Sequence, residues 1–264
     1  MRARGETAPR VPPSTATTAA ELATLVRRAH AVVALTGAGI STPSGIPDFR
    51  SPGSGLWETV DPMQVAHIEA FHADPARFWQ FYSARFAALG SKRPNAAHHA
   101  LAELERRGLL DAVITQNVDM LHRAAGTREL VEVHGSIATC SCLECRADPV
   151  GLAEVRARVR EDSDGIPRCA CCHAPLKPDV VLFGELLHEP TLARASELCE
   201  RADVLICVGS SLEVHPVAGL PLLTLERGGA LAILTQGATP LDALAQVRLH
   251  GDVVDELDAL LAAL

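Results

Sequence analysis

The sequence has no excess of positive charge: 24 Lys and Arg stand against 32 Asp and Glu, a formal net charge of −8. A chain of that sign offers phosphates no basic stripe, which disfavours direct sequence-specific DNA binding and leaves nucleic acid an indirect partner at most. Long hydrophobic runs are also missing. The apolar segment Val204–Val208 stops at Gly209, far short of the roughly 20 residues that span a bilayer, so no membrane partner is expected. Residues 1–18, MRARGETAPRVPPSTATT, lack an apolar core segment and include Glu6 and three Pro. That excludes a secretory signal and disfavours a transit helix, so a disordered tail is expected there. Eight cysteines without an export signal point to metal ligands or reduced thiols and to a cytoplasmic protein. Aromatics make up only 3% of the 264 residues, but 48% are hydrophobic and 21% charged, the composition of a globular chain that buries its own core.

β-Branched runs recur at Val32–Leu35, Ala112–Thr115, Leu130–Val133, Val180–Phe183, Val204–Val208 and Ala230–Leu234, with segments of helical period between most of them. Glu21–Ala29 is one such segment; another follows the N-cap Asn95 through Leu101 and Leu104 to a stop at Gly108. Strands alternating with helices call for right-handed crossovers and a parallel sheet covered on both faces. The expected fold class is therefore α/β, doubly wound. Two stretches break the alternation. Residues 51–94 contain a helix-like segment, Pro75–Leu89, carrying Phe78, Trp79, Phe81, Tyr82 and Phe86, and residues 138–177 hold six of the eight cysteines. Two such insertions would build a small second domain, leaving 19–50, 95–137 and 178–264 to the sheet domain.

Several strand ends carry residues suited to a ligand. Gly37-Ala38-Gly39-Ile40-Ser41 follows a buried strand, the setting in which backbone N–H groups approach a pyrophosphate, although Thr42 stands where a dehydrogenase fingerprint needs its third Gly. A plain tight turn accounts for this motif equally well when it is taken alone. Gly45-Ile46-Pro47-Asp48-Phe49-Arg50 gathers a carboxylate, a ring and a guanidinium in the next loop. Thr115-Gln116-Asn117-Val118-Asp119 brings amides suited to ribose hydroxyls or a carboxamide, or else a helix cap. Val133-His134-Gly135 places a side chain able to take a proton near neutral pH at another strand end, and Val208-Gly209-Ser210-Ser211 offers small residues at a fourth. The most specific signal is Cys142-x2-Cys145, 23 residues, then Cys169-x2-Cys172. Two such knuckles make a closed tetrahedral site for one structural zinc, with Cys140 and Cys171 as spare thiols. Cys199 and Cys207 read as small buried hydrophobes.

Together these segments resemble the sirtuins, the NAD-dependent protein-lysine deacylase family, and in particular its bacterial type. The resemblance rests on GAGIS at 37–41, GIPDFR at 45–50, TQNVD at 115–119, His134-Gly135, the two knuckles, PDVVLFGE at 178–185 and GSS at 209–211, and it spans about Glu21 to Asp255. It implies a Rossmann-like large domain and a small domain of helices plus zinc, with NAD and acyl-lysine entering a cleft from opposite sides. NAD would meet Gly37, Ala38, Gly39, Ser41, Asp48 and Arg50, its carboxamide Ile46 and Asp119, and its reactive anomeric carbon Phe49. Gln116 and Asn117 would hold the nicotinamide ribose, with Asn117 and His134 catalytic, and Gly209, Ser210 and Ser211 the adenosine half. Val181, Phe183, Gly184 and Glu185 would pair with an acyl-lysine protein or peptide.

The implied chemistry consumes NAD. The acyl oxygen attacks the anomeric carbon as nicotinamide leaves, His134 acts as base on the ribose hydroxyls, and the products are free lysine, nicotinamide and O-acyl-ADP-ribose. Thr235 departs from the family, which commonly has Asn there, and is a shorter side chain for reaching the adenosine ribose. Ala66 followed by Tyr82 and Arg85 resembles the spacing of the branch that recognises succinyl- and malonyl-lysine. Deacetylation is the default expectation, with desuccinylation, demalonylation or mono-ADP-ribosyl transfer as alternatives.

Overall fold

The computed structural model describes residues 18–48 and 61–264. Phe49, Arg50 and the expected tail, apart from Thr18, lie outside the described residues. In chain order the strands are β1 (Val32–Thr36), β2 (Ala112–Thr115), β3 (Leu130–Glu132), β4 (Gly135–Cys142), β5 (Val150–Gly151), β6 (Leu176–Val180), β7 (Val204–Val208), β8 (Ala230–Leu234) and β9 (Val247–Leu249). The helices are α1 (Ala19–Arg28), α2 (Pro62–Val65), α3 (Ile68–Ala73), α4 (Pro75–Leu89), α5 (Ala96–Arg106), α6 (Leu121–Ala125), α7 (Leu152–Glu161), α8 (Glu189–Arg201), α9 (Leu220–Glu226) and α10 (Val253–Ala263). Among the described residues no helix is long and apolar enough to cross a membrane.

Local chemistry sets the helix starts. Thr18 and Glu21 form a reciprocal capping box at α1, and the Asn95 side chain accepts from the backbone N–H groups of Ala97 and His98 at the start of α5. Six parallel strands form the main sheet in the order β3-β2-β1-β7-β8-β9. Successive strand residues alternate between faces. Val32, Ala34, Val204 and Ile206 enter one core with Leu22, Leu101, Leu104 and Leu257 of α1, α5 and α10. Val33, Leu35, Leu205 and Cys207 enter the opposite core with Ala195, Cys199 and Leu220 of α8 and α9. The strand order reverses between β1 and β7, the topological switch point at which doubly wound sheets open a crevice for ligands.

One expected strand is misplaced by the sequence. Val180–Phe183 is not a strand of the main sheet; the strand is β6, which pairs antiparallel with β4 in a separate three-stranded sheet of order β5-β4-β6. Gly135 makes this pairing possible. Its φ is +76°, and a Cβ there would lie 2.0 Å from the Asp179 carbonyl oxygen, so only glycine lets the chain leave β3 and pass against β6. The small sheet thus reaches from Gly135 to Val180, past both ends of 138–177. Beyond it the chain runs extended, the Val181 N–H donating to the His134 carbonyl at 2.8 Å and the Phe183 N–H to the Ala66 carbonyl at 2.8 Å.

A third core joins this sheet to the aromatic helix. Phe78, Trp79, Tyr82 and Phe86 of α4 pack with Ile137, Cys140, Leu176 and Val180. Phe78 and Tyr82 stack at a centroid distance of 4.4 Å, and the Trp79 indole N–H donates to the Leu176 carbonyl at 2.9 Å. Trp79 is 1% exposed, so Trp79→Phe removes a buried hydrogen bond and opens a void at the junction. We expect a loss of about 2 kcal/mol in unfolding free energy by denaturant titration, and a change below about 0.5 kcal/mol, the range of neutral surface substitutions, would contradict this role.

Candidate active site

The floor of the site is a contact between bare backbones. Past the register pair Thr36 and Val208, the Gly37 N–H donates to the Val208 carbonyl at 3.0 Å and the Gly39 N–H to the Gly209 carbonyl at 2.7 Å. A Cβ on Gly37 would lie 2.8 Å from the Gly209 oxygen, and one on Gly39 would lie 2.7 Å from the Gly209 Cα. Gly209 itself has φ +61°. No side chain fits between the two strand ends, so this wall presents only backbone.

Behind the floor lies a buried polar network. Asn117 donates through its amide to the Gly37 carbonyl at 3.0 Å and to Ser41 Oγ at 3.1 Å. Ser41 donates to one oxygen of Asp119 at 2.7 Å, and the other oxygen accepts the Leu121 N–H at 2.9 Å. Asp119 therefore both accepts from the first residue of α6 and lines the cleft. Burial raises its carboxyl pKa above the ordinary value, and the hydrogen bonds from Leu121 and Ser41 offset part of that rise. Two histidines that no sequence motif singles out complete the network. His98 and His122 meet edge to face at 4.9 Å, with Ser41 Oγ 3.4 Å from His98 and Thr36 Oγ1 2.9 Å from His122. Burial lowers their pKa values to about 4 and about 3, so both rings are neutral at neutral pH.

Above the floor is a cleft of about 690 Å³, within the usual range for a small-molecule site. It collects the described residues singled out at every strand end: Gly37, Ala38, Gly39 and Ser41 after β1, with Ile46 and Asp48 in the following loop; Gln116, Asn117 and Asp119 after β2; and Gly209, Ser210, Ser211 and Thr235 after β7 and β8. Gln116 reaches across to Ser210, its amide donating to Oγ at 2.9 Å. The opposite wall comes from the third core and the extended segment, with Tyr82, Arg85, Val181, Phe183, Gly184 and Glu185. His134 stands between the two walls. Its Nδ1–H donates to the Gln116 carbonyl at 3.1 Å, which leaves Nε2 as the basic nitrogen of the neutral ring. Burial lowers its pKa below the ordinary value, against the opposing effect of that hydrogen bond. Hydroxyls, amides and side-chain-free backbone on one wall are a donor set that fits a dinucleotide.

The extended segment is fastened from below. Lys177 is buried, and its ammonium donates to the carbonyls of Pro178 at 3.2 Å and Val180 at 2.9 Å and pairs with Glu185 at 2.9 Å. Glu185 also accepts the Leu182 N–H at 2.8 Å. One buried cation thus holds both ends of the strip that forms this wall.

Away from the cleft, the sulfurs of Cys142, Cys145, Cys169 and Cys172 all lie within 4.8 Å of one another. Three of the separations are 3.4, 3.5 and 3.6 Å. Zinc–sulfur bonds of about 2.3 Å place tetrahedral corners about 3.8 Å apart, so the four thiols fit one closed structural zinc. Cys140, two residues before the first knuckle, is outside the cluster, and burial pushes its thiol pKa up to about 12.

A doubly wound sheet with a cleft at its switch point, flanked by a small sheet holding a four-cysteine metal site, defines a dinucleotide-binding α/β protein with a zinc module. The Sir2 family model matches residues 37–216. The chain is 45% identical over 240 residues to an NAD-dependent protein deacetylase of Caldivirga maquilingensis, covering 90% of this chain and 91% of the relative. It is 43% identical over 229 residues to NAD-dependent protein deacylase 1 of Archaeoglobus fulgidus, covering 86% and 91%. A Sir2 variant solved with a deacetylated p53 peptide and 3′-O-acetyl ADP-ribose superposes with a TM-score of 0.87 at 38% identity, over 93% of this chain and 98% of that one. The chain belongs to the Sir2 family.

The metal site generates a direct prediction. Cys142→Ser should abolish stoichiometric zinc and destabilise the small sheet, because structural zinc supplies folding free energy. Cys140→Ser should keep one zinc per chain by elemental analysis; retention in the first variant and loss in the second would reverse the ligand assignment.

Proposed function

We propose that this protein removes acyl groups, acetyl by default, from lysine side chains of proteins or peptides in an NAD-dependent reaction giving nicotinamide, O-acyl-ADP-ribose and free lysine. The observation that carries this reading is the position of His134, a neutral, half-buried base between a wall of amides and small residues and a wall built for an extended peptide. Bound NAD supplies an anomeric carbon whose bond to nicotinamide breaks as the acyl oxygen attacks. Asn117 and Gln116 orient the ribose beside that carbon, and the Asp119 side chain, braced by Ser41, receives the carboxamide together with Ile46. His134 Nε2 takes the proton from a ribose hydroxyl, while Nδ1 stays tied to Gln116, which fixes the ring. Ser210 and Ser211 hold the adenosine half, and Val181, Gly184 and Glu185 lie along the substrate backbone. The four-cysteine zinc is closed to substrate and acts by holding the small sheet.

The charge of −8 favours protein over nucleic acid as the partner. Eight cysteines without a disulfide favour a reducing compartment, and we assign the protein to the cytoplasm.

A second reading of acyl specificity rests on Tyr82 and Arg85. Both line the cleft; burial raises the Tyr82 pKa to about 12 and lowers that of Arg85, and the two groups oppose each other's shifts. A phenol beside a guanidinium in an apolar wall suits the distal carboxylate of succinyl- or malonyl-lysine.

His134→Ala should lower deacylation by at least about 10²-fold while NAD binding by calorimetry stays near that of the unmodified protein. The lowered pKa also fixes a pH profile. The base form is complete at neutral pH, and kcat/KM should fall only when pH drops through a value below about 6.5, the ordinary histidine pKa. Near-normal turnover by His134→Ala would remove the base assignment. Arg85→Ala should lower desuccinylation at least about 10-fold and deacetylation by less than about 3-fold, because only an acidic acyl chain loses an ionic partner. Equal effects on both acyl groups would make Tyr82 and Arg85 structural.

A further inference from the structure

Arg248 is a buried cation on the edge strand β9. It sits in β9 between Val247 and Leu249, both buried, and is itself 8% exposed. Its guanidinium satisfies one loop almost alone. Nε donates to Asp242 at 2.8 Å, Nη1 to the Thr235 carbonyl at 2.6 Å and also to those of Ile233 and Leu249, and Nη2 to the Gly237 carbonyl. Asp242 in turn accepts from Thr239, at 2.7 Å from the hydroxyl and 3.2 Å from the backbone N–H. The segment between β8 and β9 therefore closes on a single planar fork. Thr235, Gly237 and Ala238 of that segment line the cleft, on the side where Gly209 and Ser210 end β7.

We infer that Arg248 is a positioning residue for the adenosine half of NAD, holding the Thr235–Asp242 loop in its binding geometry. The inference rests on the NAD reading of the cleft. The Thr235 carbonyl is spent on Arg248, so the loop is tied from within the protein. Order is built into the free protein, so the ligand does not lose affinity in organising the loop. A guanidinium is needed because its fixed fork addresses several acceptors in one plane, which an ammonium cannot match.

Calorimetric titration of NAD and of ADP-ribose into the full chain tests this. Arg248→Met should raise both dissociation constants at least about 10-fold, with KM for NAD rising in parallel, kcat within about 2-fold and acyl-peptide affinity unchanged. Arg248→Lys should recover only part of the loss. A folded Arg248→Met variant that binds both ligands within about 2-fold of the unmodified protein overturns the inference, as does an equal loss of peptide affinity, the mark of a purely structural role. If Arg248→Met does not fold, Asp242→Asn decides: a rise of about 3-fold in both constants supports the inference, and an unchanged pair overturns it. Failure of the unmodified protein to bind either ligand refutes the NAD reading itself, whereas binding that is indifferent to Arg248 refutes only the role given to this residue.

Discussion

The meeting of Gly37 and Gly39 with Gly209 is the constraint on which the rest of the site depends. Two adjacent parallel strands deliver their ends to the same place, and their chains can touch only if neither carries a side chain there: added Cβ atoms would sit 2.7 and 2.8 Å from the facing backbone. This contact closes the crevice between β1 and β7 from beneath and turns a topological switch point into a floor. It also brings Ser210 to within 2.9 Å of the Gln116 amide, so the loops after three strands share one wall. The hydrogen bond from Asn117 to the Gly37 carbonyl then ties the β2 loop to the same contact.

Burying polar groups this close together has an electrostatic consequence. Ser41, Asn117, Asp119, His98 and His122 are all at most 9% exposed, and burial pushes each titratable member toward its neutral form. His134, nearer the opening, shows the same sign of effect. A neutral imidazole with Nδ1 committed to a carbonyl is what a base needs, so the burial that disfavours charge also prepares the proton acceptor. The facing wall follows a different rule. There a buried ammonium, Lys177, is retained and matched by Glu185 and two carbonyls, because an extended strip with few ladder partners needs an internal tie.

The parts of this arrangement legible in the sequence are those where a residue type is forced. Asn95 announced a helix start and two paired-cysteine knuckles a tetrahedral site, because few alternatives satisfy the geometry; the glycines at 37, 39 and 209 suit close approach by a phosphate or a tight turn, and what they meet in the structure is one another's backbone. Val180–Phe183 was misread because β-branched composition reports a buried extended chain without saying which sheet receives it; the answer lay in the positive φ of Gly135. His98 and His122 were invisible for a related reason. His98 lies on a helix that the pattern identifies and His122 on a five-residue helix that it does not, and no local spacing encodes the 4.9 Å contact that joins α5 to α6. Arg248 carries no signal in sequence, since the carbonyls it satisfies belong to a loop with no periodicity. Asp119 shows the limit most clearly: helix cap and ligand contact are competing readings of TQNVD, and in the structure one oxygen accepts from Leu121 at the start of α6 while the other accepts from Ser41.

The central claim is that a single cleft couples NAD consumption to acyl transfer through one base, and product stoichiometry tests it most directly. Incubation of the purified protein with NAD and an acetyl-lysine peptide, followed by mass spectrometry, should give nicotinamide, O-acetyl-ADP-ribose and free lysine peptide in equal amounts. Release of acetate without loss of NAD, or ADP-ribose attached to protein with the peptide still acetylated, would contradict the account.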